Sequence, residues 1–340
     1  MKKVLFIGGT GTISTAIVER LIDTKEWDIY LLNRGNRNIF EGKVHQIIAD
    51  INNVEDVKEK IKGLSFDVVG EFIGFVKSDV ERDYYLFKDI CKQYIYISSA
   101  SAYIKPSDNY IITENTPLSN PYWQYSRDKQ ECEKYLMERY ENDNFPVTIV
   151  RPSHTYSERN LPLAVRGKNG YWQVLKRMKE GKPVIVHGDG SSLWHLTFNT
   201  DFAIGYVGLM ANPNAIGEAF QITGDEVLTW DQIYRIIGKA LGVNPILYHV
   251  SSDFLSSIGQ EYDLTGNLLG DKAISVHFDN SKLKKLVPDM KTNVTFEMGV
   301  EIVLDYIAKH KECQIDDPEF DEWCDKVINA LDNAKNTFNH

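Results

Sequence analysis

The 340-residue chain lacks any long apolar run: stretches such as Val4–Ile7 fall far short of the ~20 residues a membrane-spanning helix needs. No secretory leader is expected, because the apolar stretch after Met1-Lys2-Lys3 is shorter than the ~7–15 residues of a signal-peptide core. Cysteine is scarce. Cys91, Cys132, Cys313 and Cys324 are scattered, with no CxxC pair and no metal spacing, so free thiols in a reducing cytoplasm are expected. Basic residues are outnumbered 38 to 48, a net charge of −10, and a global basic footprint for nucleic acid is therefore absent. The eight histidines form no HxxxH or HxH pair, so no metal site is expected. There is no internal repeat and no flexible linker. What is present is an ordinary globular composition, 43% hydrophobic and 25% charged. The length suggests about two domains with a sizeable core.

Through the first 150 residues, short apolar runs alternate with segments of helical length. Val4–Ile7, Ile29–Leu32, Ile47–Ala49, Phe66–Val69, Tyr94–Ile97 and Val147–Val150 read as buried strands. Ile13, Ala16, Ile17 and Leu21 mark one face of a helix between the first two. Such alternation predicts an α/β fold, a doubly wound parallel sheet with helices on both faces. After Arg151 the chain is richer in Gly and Pro. Ala219–Thr223 reads as one more strand and 229–241 as a helix. The stripe Phe320, Trp323, Cys324, Val327, Ile328 and Leu331 predicts an amphipathic helix that closes a domain or meets another subunit. The expected division is 1–152 for a dinucleotide-binding domain, with returns near 194–206 and 218–224, and 153–340 for a smaller α/β domain that is mainly substrate-binding.

The first strand runs into Gly8-Gly9-Thr10-Gly11-Thr12-Ile13-Ser14, directly before that helix. A strand–glycine turn–helix lets main-chain amides and the helix N-terminus approach a pyrophosphate. Gly8 would permit the tight turn and Gly11 the close approach, with Thr12 and Ile13 opening the helix. Ser14 replaces a third glycine and is small enough for helix–sheet packing. At the end of the second strand an acidic residue would favour NAD. The chain has Asn33-Arg34 there, with Arg37 beyond, and arginine can pair with a 2′-phosphate, which favours NADP over NAD. Asp50, followed by Ile51, is placed to accept from an adenine amino group.

Tyr125-Ser126-Arg127-Asp128-Lys129 puts a tyrosine and a lysine four apart, on one face of a helix. A free phenol is a poor base at neutral pH, and a nearby ammonium favours its phenolate. Tyr125 can then exchange a proton with a substrate hydroxyl while hydride moves to or from a nicotinamide. Ser98-Ser99-Ala100-Ser101 stands at the C-terminal end of the fifth strand, the edge that faces the ligand crevice. A hydroxyl there can hold the reacting oxygen.

In this order the residues resemble the extended short-chain dehydrogenase/reductase family, in its epimerase/dehydratase group. The resemblance is strong over 1–152 and traceable to about residue 290. It implies a Rossmann-like NAD(P) domain, Ser99 as catalytic serine, Tyr125 as the acid–base, and Lys129 as its partner and as a contact to the nicotinamide ribose. It implies that Asp67–Gly74, with Phe72 and Ile73, passes over the cofactor. Arg151-Pro152-Ser153-His154 resembles the element after the sixth strand, which brings Pro152 to the cofactor and His154 to the substrate. Asp279-Asn280-Ser281-Lys282 resembles a late element before a final helix. Ala100, beside Ser99, and Trp194 are the further substrate candidates, core packing being the equal alternative for Trp194, with Tyr122 and Trp123 as site walls and His195 as a weaker candidate for acid–base work. Trp194 replaces an arginine that usually clamps a nucleotide diphosphate, and Ala100-Ser101 replaces the Asp-Glu pair of sugar dehydratases. The Asn33-Arg34-Gly35 element resembles that of atypical relatives, including the chloroplast stem-loop-binding proteins. The reading is an NAD(P)-dependent oxidoreductase or epimerase acting on a sugar or sugar-nucleotide hydroxyl, a homodimer being common among such enzymes. The alternative is a non-catalytic dinucleotide-binding sensor or RNA-binding relative.

Overall fold

Seven segments rich in branched and aromatic residues form one sheet: β1 (Lys2–Ile7), β2 (Trp27–Asn33), β3 (His45–Ile48), β4 (Val68–Glu71), β5 (Tyr94–Ile97), β6 (Val147–Pro152) and β7 (Ala219–Ile222). The computed structural model describes residues 1–37 and 39–338; residues 339 and 340, in the expected second domain, lie outside the described residues. The strand order is β7-β6-β5-β4-β1-β2-β3, and every neighbouring pair is parallel. The order reverses direction between β1 and β4, the switch point at which open α/β sheets take their ligands. This is the Rossmann-like α/β sheet expected.

Five helices position the site: α1 (Thr12–Thr24), α2 (Val54–Ile61), α3 (Lys77–Phe87), α4 (Gln124–Asp143) and α5 (Asn199–Leu209). Successive strand side chains point to opposite faces. In β1, Val4 and Phe6 join a core with Ala16, Ile17 and Leu21 of α1 and Phe202 and Tyr206 of α5. Leu5 and Ile7 join the opposite core with Val57 of α2, Val80 and Phe87 of α3, and Cys132 and Leu136 of α4. Full burial of each such side chain contributes roughly 1.5–3 kcal/mol before entropy is counted.

The fourth strand departs from expectation. It starts at Val68, because Phe66 makes an isolated bridge to Cys91, and it continues through Gly70 and Glu71. Gly70 reads locally as a turn residue, yet it serves tertiary packing: a Cβ there would lie 2.7 Å from Phe6 Cδ1. The last expected strand likewise runs on to Pro152.

The chain divides into two units. The first holds Met1–Thr155, Thr197–Asp225 and Phe278–Asn293. The second holds Tyr156–Leu196, Glu226–His277 and the chain from Val294 on. In the first unit, β7 belongs to a returning segment and pairs with β6. A further return adds Leu283, Val287 and Met290 to the core beneath α1 and α5. In the second unit, Val184–His187 pairs with Leu247–Val250 in parallel. Helix Trp230–Ala240 opens on a capping box in which Thr229 and Gln232 exchange side-chain-to-backbone bonds. The C-terminal stripe is helix Pro318–Asn336, which buries Phe320, Cys324, Val327 and Ile328. Buried Arg177 pairs with Asp321 at 2.7 Å and Asp325 at 2.8 Å on that helix. Among the described residues no helix is long and apolar enough to cross a membrane.

Candidate active site

The glycine loop owes its shape to two residues. Gly8 has φ +84°, and a Cβ there would meet Ile73 Cγ2 at 2.5 Å. Its amide donates to the Leu32 carbonyl at 3.2 Å. Ser14 ties the loop shut: its Oγ accepts the Gly11 amide at 2.9 Å and donates to the Gly8 carbonyl at 2.8 Å. Ser14 therefore does more than fit a small space. Gly8 and Gly11 contribute by lacking side chains, since their amides are engaged within the protein. An added Cβ at Gly11 would meet nothing nearer than Ser14 Oγ at 3.5 Å, which leaves room for a ligand. The amides free of intrahelical acceptors are those of the first turn of α1, including Thr12 and Ile13.

At the end of β2, Asn33 is committed locally. Its Oδ1 accepts the Gly35 amide at 2.8 Å and its Nδ2 donates to Gln46 at 3.2 Å. Arg34 and Arg37 are exposed, and among the described residues neither joins an ion pair. Asp50 Oδ1 accepts the Asn52 amide at 3.0 Å, a local turn, and Ile51 is buried. Phe72 packs edge-on against Phe6 at 5.5 Å, while Ile73, 41% exposed, lies over Gly8. The open space at Gly11, the α1 amides and the two uncommitted arginines fit a dinucleotide.

Tyr125, Lys129 and Glu133 recur every four residues along α4. Lys129 is buried, and its Nζ donates to the Gly74 carbonyl at 2.7 Å and the Ile97 carbonyl at 2.8 Å. Three rings surround it, with centroids at 4.8 Å (Tyr96), 5.0 Å (Phe75) and 5.8 Å (Tyr125). Burial disfavours its charged form and pulls its pKa down to about 8. Two of its three N–H groups are spent on carbonyls, so one remains for a ligand. Tyr125 is half-buried, with Trp123 at 5.0 Å and Phe75 at 6.5 Å between ring centroids.

Ser99 caps the short 3₁₀ turn Ala100–Ala102, its Oγ accepting the Ser101 amide at 3.1 Å and lying 2.9 Å from Ser101 Oγ. Ser126 Oγ, from α4, donates to Ser101 Oγ at 2.8 Å. Behind this turn Glu133 accepts from Ser98 Oγ and from Arg151, through Nε at 3.0 Å and Nη2 at 2.7 Å. Arg151 Nη1 also donates to Tyr103 Oη and the Glu114 carbonyl, each at 3.1 Å. Burial alone would lower the Arg151 pKa, but the Glu133 carboxylate outweighs it and the net shift is upward. At the end of β4, Glu71 accepts the Ile73 amide and lies beside Asp83, which accepts from Tyr94 Oη at 2.8 Å and Arg82 Nε at 3.0 Å. Burial, then the Asp83 charge, pushes the Glu71 carboxyl well above its ordinary range.

The remaining expected residues fall in varied places. Ala100 and Pro152 are buried, at the 3₁₀ turn and at the end of β6. His154 is half-buried in the short strand His154–Tyr156, and Tyr122 is exposed. Of the two readings of Trp194, a substrate contact or core packing, its place in the second unit favours the core. It is 1% exposed and packs near Trp230, with ring centroids 6.5 Å apart. His195 is also buried, with Nε2 3.2 Å from His277 Nδ1. Asp279–Lys282 anchors a return: Asn280 bonds Thr223 at 3.0 Å and Lys282 pairs with Glu218 at 2.7 Å. Sequence reasoning missed Phe75, Tyr96, Ser126 and Glu133 as parts of this site, and it quoted Ser101 only within the serine-rich strand end. Of the four missed, only Glu133 left a signal, its four-residue step from Lys129.

The NAD dependent epimerase/dehydratase family profile matches residues 4–223. The chain is 26% identical over 255 residues to a chloroplast stem-loop binding protein of 41 kDa from Arabidopsis thaliana, a match covering 71% of this chain and 64% of that protein. Among solved structures it resembles dTDP-glucose 4,6-dehydratase from Bacillus anthracis in complex with NAD. The TM-score is 0.72 at 19% identity, over 92% of this chain and 98% of the other. It also resembles UDP-glucuronic acid 4-epimerase from Bacillus cereus in complex with NAD, with TM-score 0.70 and 21% identity over 90% and 99%. At such identity these two likenesses are of fold.

Proposed function

Because the chain belongs to the NAD dependent epimerase/dehydratase family, we propose that it is an NAD(P)-dependent oxidoreductase or epimerase acting on a sugar or sugar-nucleotide hydroxyl. The observation that carries this reading is the burial of Lys129 beneath the Tyr125 ring, 5.8 Å from its centroid. An ammonium held there favours the phenolate and makes Tyr125 a usable base. In the oxidising direction Tyr125 Oη accepts the substrate hydroxyl proton while Ser99 holds the same oxygen. In the reverse direction Tyr125 returns the proton. The bound nicotinamide supplies the hydride acceptor or donor.

Thr12 and Ile13 would hold the pyrophosphate, Asp50 and Ile51 the adenine end, and Lys129 the nicotinamide ribose, with Phe72, Ile73 and Pro152 as apolar walls. Arg34 supports NADP over NAD, because its charge is exposed and uncommitted beside the uncharged Asn33. Arg34→Ala is expected to weaken NADP about tenfold or more and leave NAD unchanged in a fluorescence titration. Equal loss for both would remove the preference.

Tyr125→Phe tests the chemistry. Turnover should fall about 100-fold or more while cofactor affinity is kept. Unchanged turnover, on a substrate the wild type converts, would refute it. The likeness to the Arabidopsis stem-loop binding protein favours a second reading, RNA binding without turnover. Steeply salt-dependent RNA retention with no cofactor reduction on any sugar would support that reading.

A further inference from the structure

We propose that Ser101 and Ser126 are positioning residues that fix the direction of the Ser99 proton, so that Ser99 meets a substrate oxygen only as a donor. The inference rests on the proposed function for its chemistry and on hydroxyl geometry for its substance. Each serine hydroxyl has one proton to give and two lone pairs to receive. Ser126 is wholly buried and gives its proton to Ser101 Oγ at 2.8 Å. Ser101, buried too, then has its own proton to place, and Ser99 Oγ lies 2.9 Å away. The Ser101 amide already occupies one lone pair of Ser99, at 3.1 Å. Once the Ser101 hydroxyl takes the second, Ser99 has nothing left but its O–H.

The opposite arrangement is disfavoured. If Ser99 donated to Ser101, then Ser101 would receive two protons and hold its own without an acceptor in a buried turn, the costlier state for a polar group. Asn120 Nδ2 donates to the Ser101 carbonyl at 2.7 Å and keeps the turn from rotating to find another partner.

The consequence is a proton inventory. With Ser99 donating to the substrate oxygen, the hydroxyl proton of the substrate has one destination, Tyr125 Oη. The substrate O–H bond would break toward Tyr125 as its C=O bond forms, and a bound nicotinamide would take the hydride from the breaking C–H bond. Ser99 keeps its proton throughout.

Neutron diffraction from deuterium-exchanged crystals reads the relay without any substrate. The expected map has the Ser101 deuterium between its Oγ and Ser99 Oγ, and the Ser99 deuterium pointing away. A Ser99 deuterium aimed at Ser101 would overturn the proposal. The kinetic arm uses UDP-glucose and NAD(P) as probes. Ser101→Ala should lower kcat about tenfold with KM for both probes kept, and Ser101→Thr, which restores the hydroxyl, should recover most of it. Wild-type kcat in Ser101→Ala, or Ser101→Thr as slow as Ser101→Ala, counts against the relay. Should the wild type turn over neither probe, that result bears on the proposed function, while the neutron map still decides the hydroxyl directions.

Discussion

Glu133 offers the sharpest test of how the site is braced. Its side chain and that of Arg151 are 5% and 7% exposed and 2.7 Å apart. Glu133→Leu leaves the guanidinium buried without its counter-charge, and breaking a buried pair in this way costs about 3–5 kcal/mol. Arg151→Met strands the carboxylate instead, whose remaining side-chain donor is Ser98, and should cost about as much. Removing both charges in Glu133→Leu/Arg151→Met ends the stranding. What remains is the loss of the Arg151 donors to Tyr103 Oη and the Glu114 carbonyl and of the acceptor for Ser98 Oγ, about 1 kcal/mol each. The double variant should therefore be less destabilised than either single one, with a coupling of at least about 2 kcal/mol. The assay is alkylation of Cys132 against urea, read on its own peptide by mass spectrometry. Cys132 is buried on α4, the helix that carries Glu133, so its labelling reports opening of that region. Single variants that cost under about 1 kcal/mol, or costs that add within about 0.5 kcal/mol, would refute the clamp.

The pH dependence follows from Lys129, whose charged form is present below about 8 and lost above it. The rate of Tyr125 chemistry should fall on the alkaline side of about pH 8, and a flat pH–rate profile to pH 9.5 would contradict this. The stability trend has the opposite sense. The unfolded lysine keeps its proton up to its ordinary 10.5, so between about 8 and 10.5 the unfolded state binds more protons and stability rises with pH, which a urea series would show. Gly8→Ala places a side chain at φ +84° against Ile73, so cofactor affinity by calorimetry should fall about tenfold or more. Adding Ile73→Ala should recover only part of that loss, because the backbone strain persists. Full recovery would mean the contact alone mattered.

Much of the sheet was legible because Val4–Ile7, Tyr94–Ile97 and Val147–Val150 are apolar on both faces, as buried parallel strands must be. The end of β4 was not. Gly70 and Glu71 argue locally for a turn, and their place in the strand depends on Phe6 across the sheet and on a carboxyl that burial and Asp83 push toward its neutral form. The Tyr125–Lys129 pair was readable because helical spacing is a local property. Ser101 meets Ser126 across 25 residues and Arg151 meets Glu133 across 18, and no spacing rule announces contacts of that kind. Trp194 stayed open between a ligand contact and core packing for a related reason: only the fold of the second unit sets it near Trp230 in the core.

Because Tyr125, Lys129 and Glu133 share α4, the helix acts as a ruler. Lys129 registers against the ends of β4 and β5, Ser126 against the 3₁₀ turn, and Glu133 against Ser98 and Arg151. Removing or inserting one residue between Tyr125 and Glu133 would turn one end by ~100° relative to the other and shift it by ~1.5 Å. No single side-chain exchange could undo that. Within this stretch, descendants of the sequence can vary by substitution between the registering side chains but hardly at all in length.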